Sequence, residues 1–291
     1  MQEIENGIFI ETLYPGVTLG ALVFAHGTLL IDAPLRPEDN RSWRAALINQ
    51  GSSANRVLIN LDAHPDRTLG ARALECTIIA HQKTAQVFRS RPLVFKGQNI
   101  DSGAEWETYS DAVGTRWAMP DITFTNRIFL HWGPPDVVIE HHPGSAPGAI
   151  WVIIPDYKII FVGDAVLHNQ PPFLATADIP AWQVALELLL TSYKDHMIIS
   201  GREGAVPYEA IRAQNHLLKR IFKGLEKIAK RNAPPGATES LIPSLMGEID
   251  FPAHLEEQYA QRLKHGLNQY YLHLYRPMDI VNQSKLIDAE Q

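Results

Sequence analysis

The stretch that decides the fold is NLDAHPDRTLG, residues 60–70, where an apolar segment, RVLINL at residues 56–61, runs straight into a polar turn. The apolar segment has the length and composition of a buried strand. The turn that follows places two aspartates, one histidine and one arginine within residues 62–67. Strand and turn together are the point from which the rest of the chain is interpreted.

The residues before and after this strand predict one half of a layered domain. Residues 7–33 alternate short β-branched and aromatic stretches with turn signals, which indicates an antiparallel meander. Residues 38–49 combine polar starters with apolar residues at helical spacing and predict a helix. A helix start at residues 68–75, a strand at 76–80 and a helix at 81–90 follow.

The second half repeats this order of strands followed by helices. Residues 93–125 contain three glycines and several aromatic residues, which predicts an irregular insertion whose role is open. Four strands, a helix, a strand and a long helix come next, over residues 126–132, 136–142, 149–154, 158–164, 181–194, 196–200 and 208–230. Strands followed by helices in each half predict two sheets packed face to face with helices outside.

The C-terminal part predicts a helical extension. A Pro- and Gly-containing linker at residues 232–240 precedes a helix over residues 254–275. Apolar residues follow one face of that helix: Leu255, Tyr259, Leu263, Leu267 and Tyr270. We expect this face to pack on the main body, and its use in a homodimer is the alternative.

Composition excludes several classes of protein. The chain has 291 residues, a formal charge of −6 and no long run of like charges, which argues against a nucleic-acid or membrane-surface partner. Its apolar runs are far shorter than a membrane helix requires. The single cysteine, Cys76, excludes an intramolecular disulfide and a cysteine-based metal cluster. We therefore expect a cytoplasmic protein whose partner is a small molecule.

Four segments in a fixed order carry a family resemblance. Residues 60–70, HHPGSAPGAIWVI at 141–153, IIFVGDAVL at 159–167 and IISGREG at 198–204 resemble the metal-binding segments of the metallo-β-lactamase superfamily. The resemblance implies an α/β fold, a four-layer αβ/βα sandwich. We expect this domain to cover residues 1–205 and a C-terminal helical extension, packed on it, to cover residues 206–291.

The resemblance also implies a site for two metal ions, because that family uses His and Asp ligands to activate a bridging water. His64, Asp66 and Asp164 match the family pattern. Four other positions depart from it, since they hold Asp62, Arg67, Ser145 and Arg202 where the family has histidines. A usual two-metal centre is therefore not expected.

Arg67 and Arg202 would face Asp66 and Asp164, and a guanidinium group cannot deprotonate to bind metal. One interpretation is that both arginines replace a dication and neutralise the carboxylates through hydrogen-bonded ion pairs. The other is that they point into the cleft and bind the carboxylate, phosphate or sulfate group of a ligand. In that case Ser145 belongs to the same ligand-binding set.

A single metal ion is the remaining metal hypothesis. Asp62, His64 and Asp164 form a set that could hold one Zn²⁺, Mn²⁺ or Fe²⁺ with open positions for water. The alternative is a histidine hydrogen-bonded between two carboxylates without any ion. Asp66 and His168 are the predicted catalytic residues, with His168 as a general acid or substrate contact and a structural loop histidine as its alternative.

Two functions follow from these hypotheses. The first is a hydrolase with an altered, at most mononuclear site, which cleaves a small ester, lactone, thioester or amide through a metal-bound water. The second is a metal-free, catalytically degenerate relative whose cleft binds an anionic ligand through Arg67 and Arg202, or which acts as a scaffold. The substrate is not predicted, because function does not follow from fold alone.

Overall fold

The structure, a computed structural model, describes residues 1–97 and 102–277. The described chain contains thirteen β-strands and seven α-helices. The strands are β1 (Gln2–Glu5), β2 (Ile8–Glu11), β3 (Leu19–Phe24), β4 (Gly27–Ile31), β5 (Arg56–Ile59), β6 (Thr77–His81), β7 (Ile122–Phe124), β8 (Arg127–Leu130), β9 (Val137–His141), β10 (Ile150–Ile154), β11 (Ile159–Gly163), β12 (Met197–Ser200) and β13 (Gly204–Val206). The helices are α1 (Asp39–Ile48), α2 (Pro65–Thr68), α3 (Gln82–Ser90), α4 (Ile179–Thr191), α5 (Tyr208–Lys230), α6 (Ile242–Met246) and α7 (Glu256–Tyr275).

The strands form two mixed sheets. The first sheet has the order β1-β2-β3-β4-β5-β6-β7, and the second has the order β13-β12-β11-β10-β9-β8. In the first sheet the pairs from β1 to β4 are antiparallel, whereas β4 to β7 run parallel. In the second sheet β11 and β12 are parallel and the other pairs are antiparallel. Both sheets therefore contain a parallel pair, β4–β5 and β11–β12.

Three apolar layers hold the fold together, because successive side chains of a strand point to opposite faces. In β10, Ile150, Val152 and Ile154 face the first sheet, in the core between the two sheets. Trp151 and Ile153 face the other way, into the core beneath α4, α5 and α7. A third core lies between the first sheet and α1. This four-layer αβ/βα sandwich confirms the predicted fold class.

The C-terminal helix α7 packs on the second sheet's helical layer. Leu263, Leu267 and Tyr270 share a buried core with Trp151 and Trp182. The domain boundary between residues 205 and 206 stays a prediction. The use of the C-terminal region in a homodimer also stays a prediction. No helix in the described residues is long and apolar enough to cross a bilayer.

The structure differs from the sequence predictions in short elements. The predicted helix start at residues 68–75 is instead the end of α2 followed by a 3₁₀ helix, Leu69–Leu74. The insertion at residues 93–125 is mainly irregular but supplies β7, the edge strand of the first sheet. Residues 98–101 of that insertion lie outside the described residues. Strands β7 and β13 contain three residues each, too few for a periodic pattern to indicate them.

Candidate functional site

The candidate site lies where four strands end at one edge of the sandwich. Asp32 follows β4, Asp62 follows β5, Asp164 follows β11 and Arg202 follows β12. The strands of each parallel pair end at the same edge, β4 beside β5 and β11 beside β12. Polar residues that are far apart in the sequence thereby meet at one place.

Arg67 lies at the centre of this edge and is completely buried. Helix α2 carries it, and the Nδ1 atom of His64 caps that helix by accepting a hydrogen bond from a backbone N–H at 3.3 Å. The guanidinium group donates a short hydrogen bond to Asp164. It also lies 3.4 Å from a carboxylate oxygen of Asp32 and 3.5 Å from one of Asp62. Arg67 therefore contacts three carboxylates at once.

Arg202, from the opposite strand pair, binds Asp164 as well and a fourth carboxylate, Asp66. Its Nε and Nη2 atoms donate to the two oxygens of Asp164, both at 3.1 Å, and its Nη1 donates to Asp66 at 2.8 Å. Nη2 also lies 3.3 Å from Nδ1 of His64. Its guanidinium carbon lies 4.4 Å from the ring centre of Phe173. Asp164 is thus shared between both arginines.

The two arginines divide the carboxylates into two classes. Burial works to raise the pKa of Asp164, but the charges of Arg202 and Arg67 outweigh it and hold that pKa well below its ordinary value. The pKa of Asp66 is lowered as well. Burial acts to raise it, and the charge of Arg202 acts to lower it. In contrast, burial raises the pKa of Asp32 to about 7, because attraction to Arg67 offsets only part of the desolvation.

His64 is a neutral imidazole with a defined role for each nitrogen. Burial lowers its pKa to about 3, so the ring carries one proton at neutral pH. Nδ1 accepts a hydrogen bond from the backbone N–H of Asp66 and faces an N–H of Arg202. Because Nδ1 is an acceptor, we assign the ring proton to Nε2. His64 therefore presents an N–H donor and not a free lone pair.

This arrangement does not fit a metal ion. Both oxygens of Asp164 accept hydrogen bonds from guanidinium groups, and Nδ1 of His64 is occupied in the same way. Asp62 accepts from the backbone N–H of His64 at 2.8 Å and faces Arg67. Over residues 1–97 and 102–277, no group of three or more His, Cys, Asp or Glu side chains is placed to hold a metal ion. We derive no chemistry through a metal at this site.

A cavity of about 200 Å³ lies beside this ion-pair network. Asp62, His64, Asp164 and Ser145 form one side of it. Apolar groups that include Val87, Trp106, Phe173 and Leu174 form further walls. Concave, largely apolar sites with a few polar groups are the usual form of small-molecule pockets. The cavity is therefore the place where this edge could bind a ligand.

The predicted site residues are only partly brought together by this cavity. Asp62, His64, Asp164 and Ser145 line it, whereas Arg67 and Arg202 do not, because their guanidinium groups point to carboxylates. Asp66 is fully buried and accepts from Arg202 and from the backbone N–H of Trp106 at 2.8 Å. His168 lines a separate groove beside α5. The structure thus places neither predicted catalytic residue at the cavity.

Sequence reasoning missed three charged residues of the site. Asp32 follows a buried strand just as Asp62 does, so strand position was the signal that could have identified it. Arg91 donates to the backbone carbonyl of Ala63 at 2.8 Å and lines the cavity from the end of α3. Arg262 reaches the cavity from α7. No local pattern distinguishes Arg91 or Arg262 from surface arginines on amphipathic helices.

Comparisons with known proteins agree with this architecture. A family model described as the metallo-beta-lactamase superfamily matches residues 63–202. A metallo-beta-lactamase from Pontibacter korlensis is 17% identical with a TM-score of 0.60, covering 75% of this chain and 97% of its own. The DIM-1 metallo-beta-lactamase exposed to ceftazidime is 16% identical with a TM-score of 0.58, over 75% of this chain and 95% of its own. A search of curated proteins gives no match.

A second kind of similar structure extends further along the chain. The inverting sec-alkylsulfatase Pisa1 from Pseudomonas sp. is 13% identical with a TM-score of 0.67 and covers 94% of this chain. The present chain spans about half of that protein, 49% of its length. At these identities the similarity concerns the fold alone. Residues 63–202 match the metallo-beta-lactamase superfamily model, and the four-layer sandwich that contains them has the fold of that superfamily.

Proposed function

We propose that this chain is a metal-independent member of the superfamily that binds a small ligand in the cavity beside Asp62 and His64. The observation that carries the proposal is the position of two guanidinium groups on both oxygens of Asp164. A metal ion would need those oxygens. Because arginine stays protonated at any physiological pH, it does not give them up.

Electrostatics supports the same conclusion. A dication placed 4 Å from one guanidinium charge is repelled by about 8 kcal/mol at an effective dielectric constant near 20. Arg67 and Arg202 would both act on it. The carboxylates could offset this repulsion only if they lost their present hydrogen bonds to the arginines. The geometry therefore favours ion pairing over the predicted site for one Zn²⁺, Mn²⁺ or Fe²⁺ on Asp62, His64 and Asp164.

The ligand-binding part of the proposal rests on the cavity rather than on the two arginines. The sequence left two interpretations open for Arg67 and Arg202, neutralisation of the carboxylates or binding of an anionic ligand. Their ion pairs with Asp66 and Asp164 support neutralisation. Ser145, the third residue of that predicted set, does line the cavity. A small molecule would thus lie next to the ion-pair network without contacting its arginines.

Metal analysis tests the proposal directly. Protein purified without chelator, and the same protein after dialysis against Zn²⁺, Mn²⁺ or Fe²⁺, is expected to hold less than about 0.2 equivalents of any of them. Content close to one equivalent, dependent on Asp62 and His64, would support the mononuclear hydrolase instead. Inductively coupled plasma mass spectrometry gives the ratio of metal to protein.

Chelator gives an independent check on stability. A bound metal that prefers the native state stabilises it by mass action, so its removal lowers the melting temperature. We expect EDTA to leave the melting temperature unchanged. A decrease of several degrees, reversed by adding back one metal, contradicts the proposal.

A further inference from the structure

Arg262 is a buried cation whose contacts with the described residues are all to neutral groups. The residue is 1% exposed and lies on α7. Its Nε donates to the backbone carbonyl of Gly103 at 3.0 Å, and its Nη1 donates to Gln170 at 2.7 Å and to the carbonyl of Pro171 at 3.3 Å. Its guanidinium carbon lies 4.0 Å from the ring centre of Phe173. No carboxylate among the described residues forms an ion pair with it, and its Nη2 has no hydrogen-bond partner there.

The environment of Arg262 contrasts with that of the two paired arginines. Neighbouring carboxylates raise the pKa values of Arg67 and Arg202 despite burial. Burial and the nearby charge of Arg202 instead lower the pKa of Arg262 to about 10. Arg262 therefore remains positively charged at neutral pH, and no described residue supplies a counter-charge in contact with it. A buried charge without a partner is unfavourable, and a bound anion would remove that penalty.

The cavity beside Arg262 presents further donors. Ser145 is 8% exposed, and its hydroxyl group has no hydrogen-bond partner in the described residues. Arg91 and His64 belong to the same lining. The Nη2 atom of Arg262 and the Ser145 hydroxyl group are both buried without a hydrogen-bond partner among the described residues, and both residues line the cavity. Unpartnered donors from two separate parts of the chain thus converge on one space.

The carboxylates that line the cavity do not cancel its attraction for an anion. Asp164 is bound by two guanidinium groups, and Asp62 lies beside Arg67. Asp62 also accepts a hydrogen bond from the backbone N–H of His64 at 2.8 Å. Among the described residues, the positive charges at the cavity without an ion-pair partner are those of Arg262 and Arg91, and Arg262 is the more deeply buried of the two.

The geometry points to a binding site for a small organic monoanion, in which Arg262 pairs with the anionic group and Ser145 donates to it. An engineered apolar cavity of about 150 Å³ binds benzene, so a cavity of about 200 Å³ suits a benzene-sized body that carries one carboxylate or sulfonate group. Apolar residues such as Val87 and Leu174 would contact that body. The inference deepens the proposed function and rests on it, because the anion is bound without a metal.

Binding of matched probes tests the inference on the full chain. Benzoate and benzenesulfonate carry the anionic group, and benzamide is a neutral molecule of similar shape. Titration calorimetry is expected to show saturable binding of both anions and at least about tenfold weaker binding of benzamide. Equal binding of benzamide, or no binding of either anion at millimolar concentration, would overturn the inference.

Two variants on the same helix locate the charge partner. Arg262→Gln is expected to weaken benzoate binding by about tenfold or more, whereas Lys264→Gln removes an exposed positive charge from α7 and should leave binding unchanged. Undiminished binding by Arg262→Gln would refute the assignment. If that variant does not fold, Ser145→Ala replaces it, with an expected loss of about threefold to tenfold, and unchanged binding again overturns the inference.

The metal content of each sample separates this inference from the proposed function. Metal-free protein that binds neither anion refutes the anion site alone. Binding that appears only with a stoichiometric metal, and disappears in EDTA, refutes both.

Discussion

At the scale of single residues, the site is organised by Asp164. Each of its oxygens accepts from a guanidinium group, one group coming from the loop after β5 and the other from the loop after β12. Arg67 follows a strand of the first sheet and Arg202 a strand of the second. Their hydrogen bonds to Asp164 therefore join the two sheets at this carboxylate.

Restoring imidazoles at both arginine positions should restore metal binding. In the double variant Arg67→His, Arg202→His, two potential ligands join Asp66 and Asp164, and two repelling charges disappear. We expect about one equivalent of Zn²⁺ by mass spectrometry, against less than about 0.2 in the parent. The double variant with glutamine at both positions loses the same charges without gaining imidazoles and should remain metal-free. Equal zinc content in the two variants would contradict the assumed loop geometry.

Removing one buried arginine should be strongly destabilising. Arg67→Met leaves Asp32, Asp62 and Asp164 without a shared counter-charge, so we expect a loss of about 3–5 kcal/mol in the free energy of unfolding. Arg220→Met breaks an ion pair between Glu248 and the exposed Arg220. It should change the free energy of unfolding by less than about 1 kcal/mol. Urea denaturation monitored by circular dichroism measures both. Similar losses in the two variants would show that the buried network contributes no more than a surface pair.

At the scale of elements, the turn after β12 is shaped to admit Arg67. A Cβ atom on Gly201 would lie 2.8 Å from both terminal nitrogens of the guanidinium group and 2.9 Å from the backbone of Gly163. Only a residue without a side chain leaves this space. The glycine and the arginine are therefore linked parts of one packing arrangement.

Gly201→Ala should displace Arg67 and destabilise the protein by about 1–3 kcal/mol, because a methyl group is forced into a filled space. The control is Gly236→Ala, at an exposed glycine without a positive φ, where the new methyl carbon would have no other atom within 4 Å. It should change stability by less than about 0.5 kcal/mol. Thermal denaturation of the two variants decides the point, and equal melting temperatures would refute the packing argument.

Long periodic elements could be predicted from the sequence, whereas short strands and the ion pairs of the site could not. Helix α5 has the predicted bounds, 208–230, because its apolar residues recur at helical spacing over many turns. Strands β7 and β13 are too short to carry such a pattern. The ion pairs of Arg67 and Arg202 were one of two open interpretations, since residue type alone does not tell which way a guanidinium group points. Arg262 could not be identified, because its surroundings come from loops far away in the sequence.

At the scale of the whole molecule, the edge of the sandwich and the C-terminal region form one connected unit. Gln170 bridges Arg262 on α7 and Glu203 after β12, and Glu203 in turn accepts from Ser200 at 2.6 Å. Burial raises the pKa of Glu203 from 4.5 to about 7, despite these hydrogen bonds. The protonation of Glu203 is therefore coupled to folding.

The pH dependence of stability should report this coupling. Between pH 4.5 and about 7 the folded state holds a proton on Glu203 that the unfolded state has released, so this group stabilises the fold less as the pH rises. Glu203→Gln removes that contribution. We expect the variant to lose less free energy of unfolding than the parent between pH 5.5 and pH 8.5, since the histidines and Asp32 contribute equally to both. Parallel curves from urea denaturation would contradict the raised pKa.

The shared carboxylate also has an evolutionary consequence. Suppose a descendant of this chain exchanged one arginine of the pair for histidine. The surviving guanidinium group would still repel a dication at Asp164, while another buried carboxylate would have lost its partner. Such a descendant has lost part of the ion-pair network without gaining a working metal site, so we expect it to be less stable than the parent. If the site is metal-independent, as proposed, single substitutions therefore do not easily turn it into a metal site.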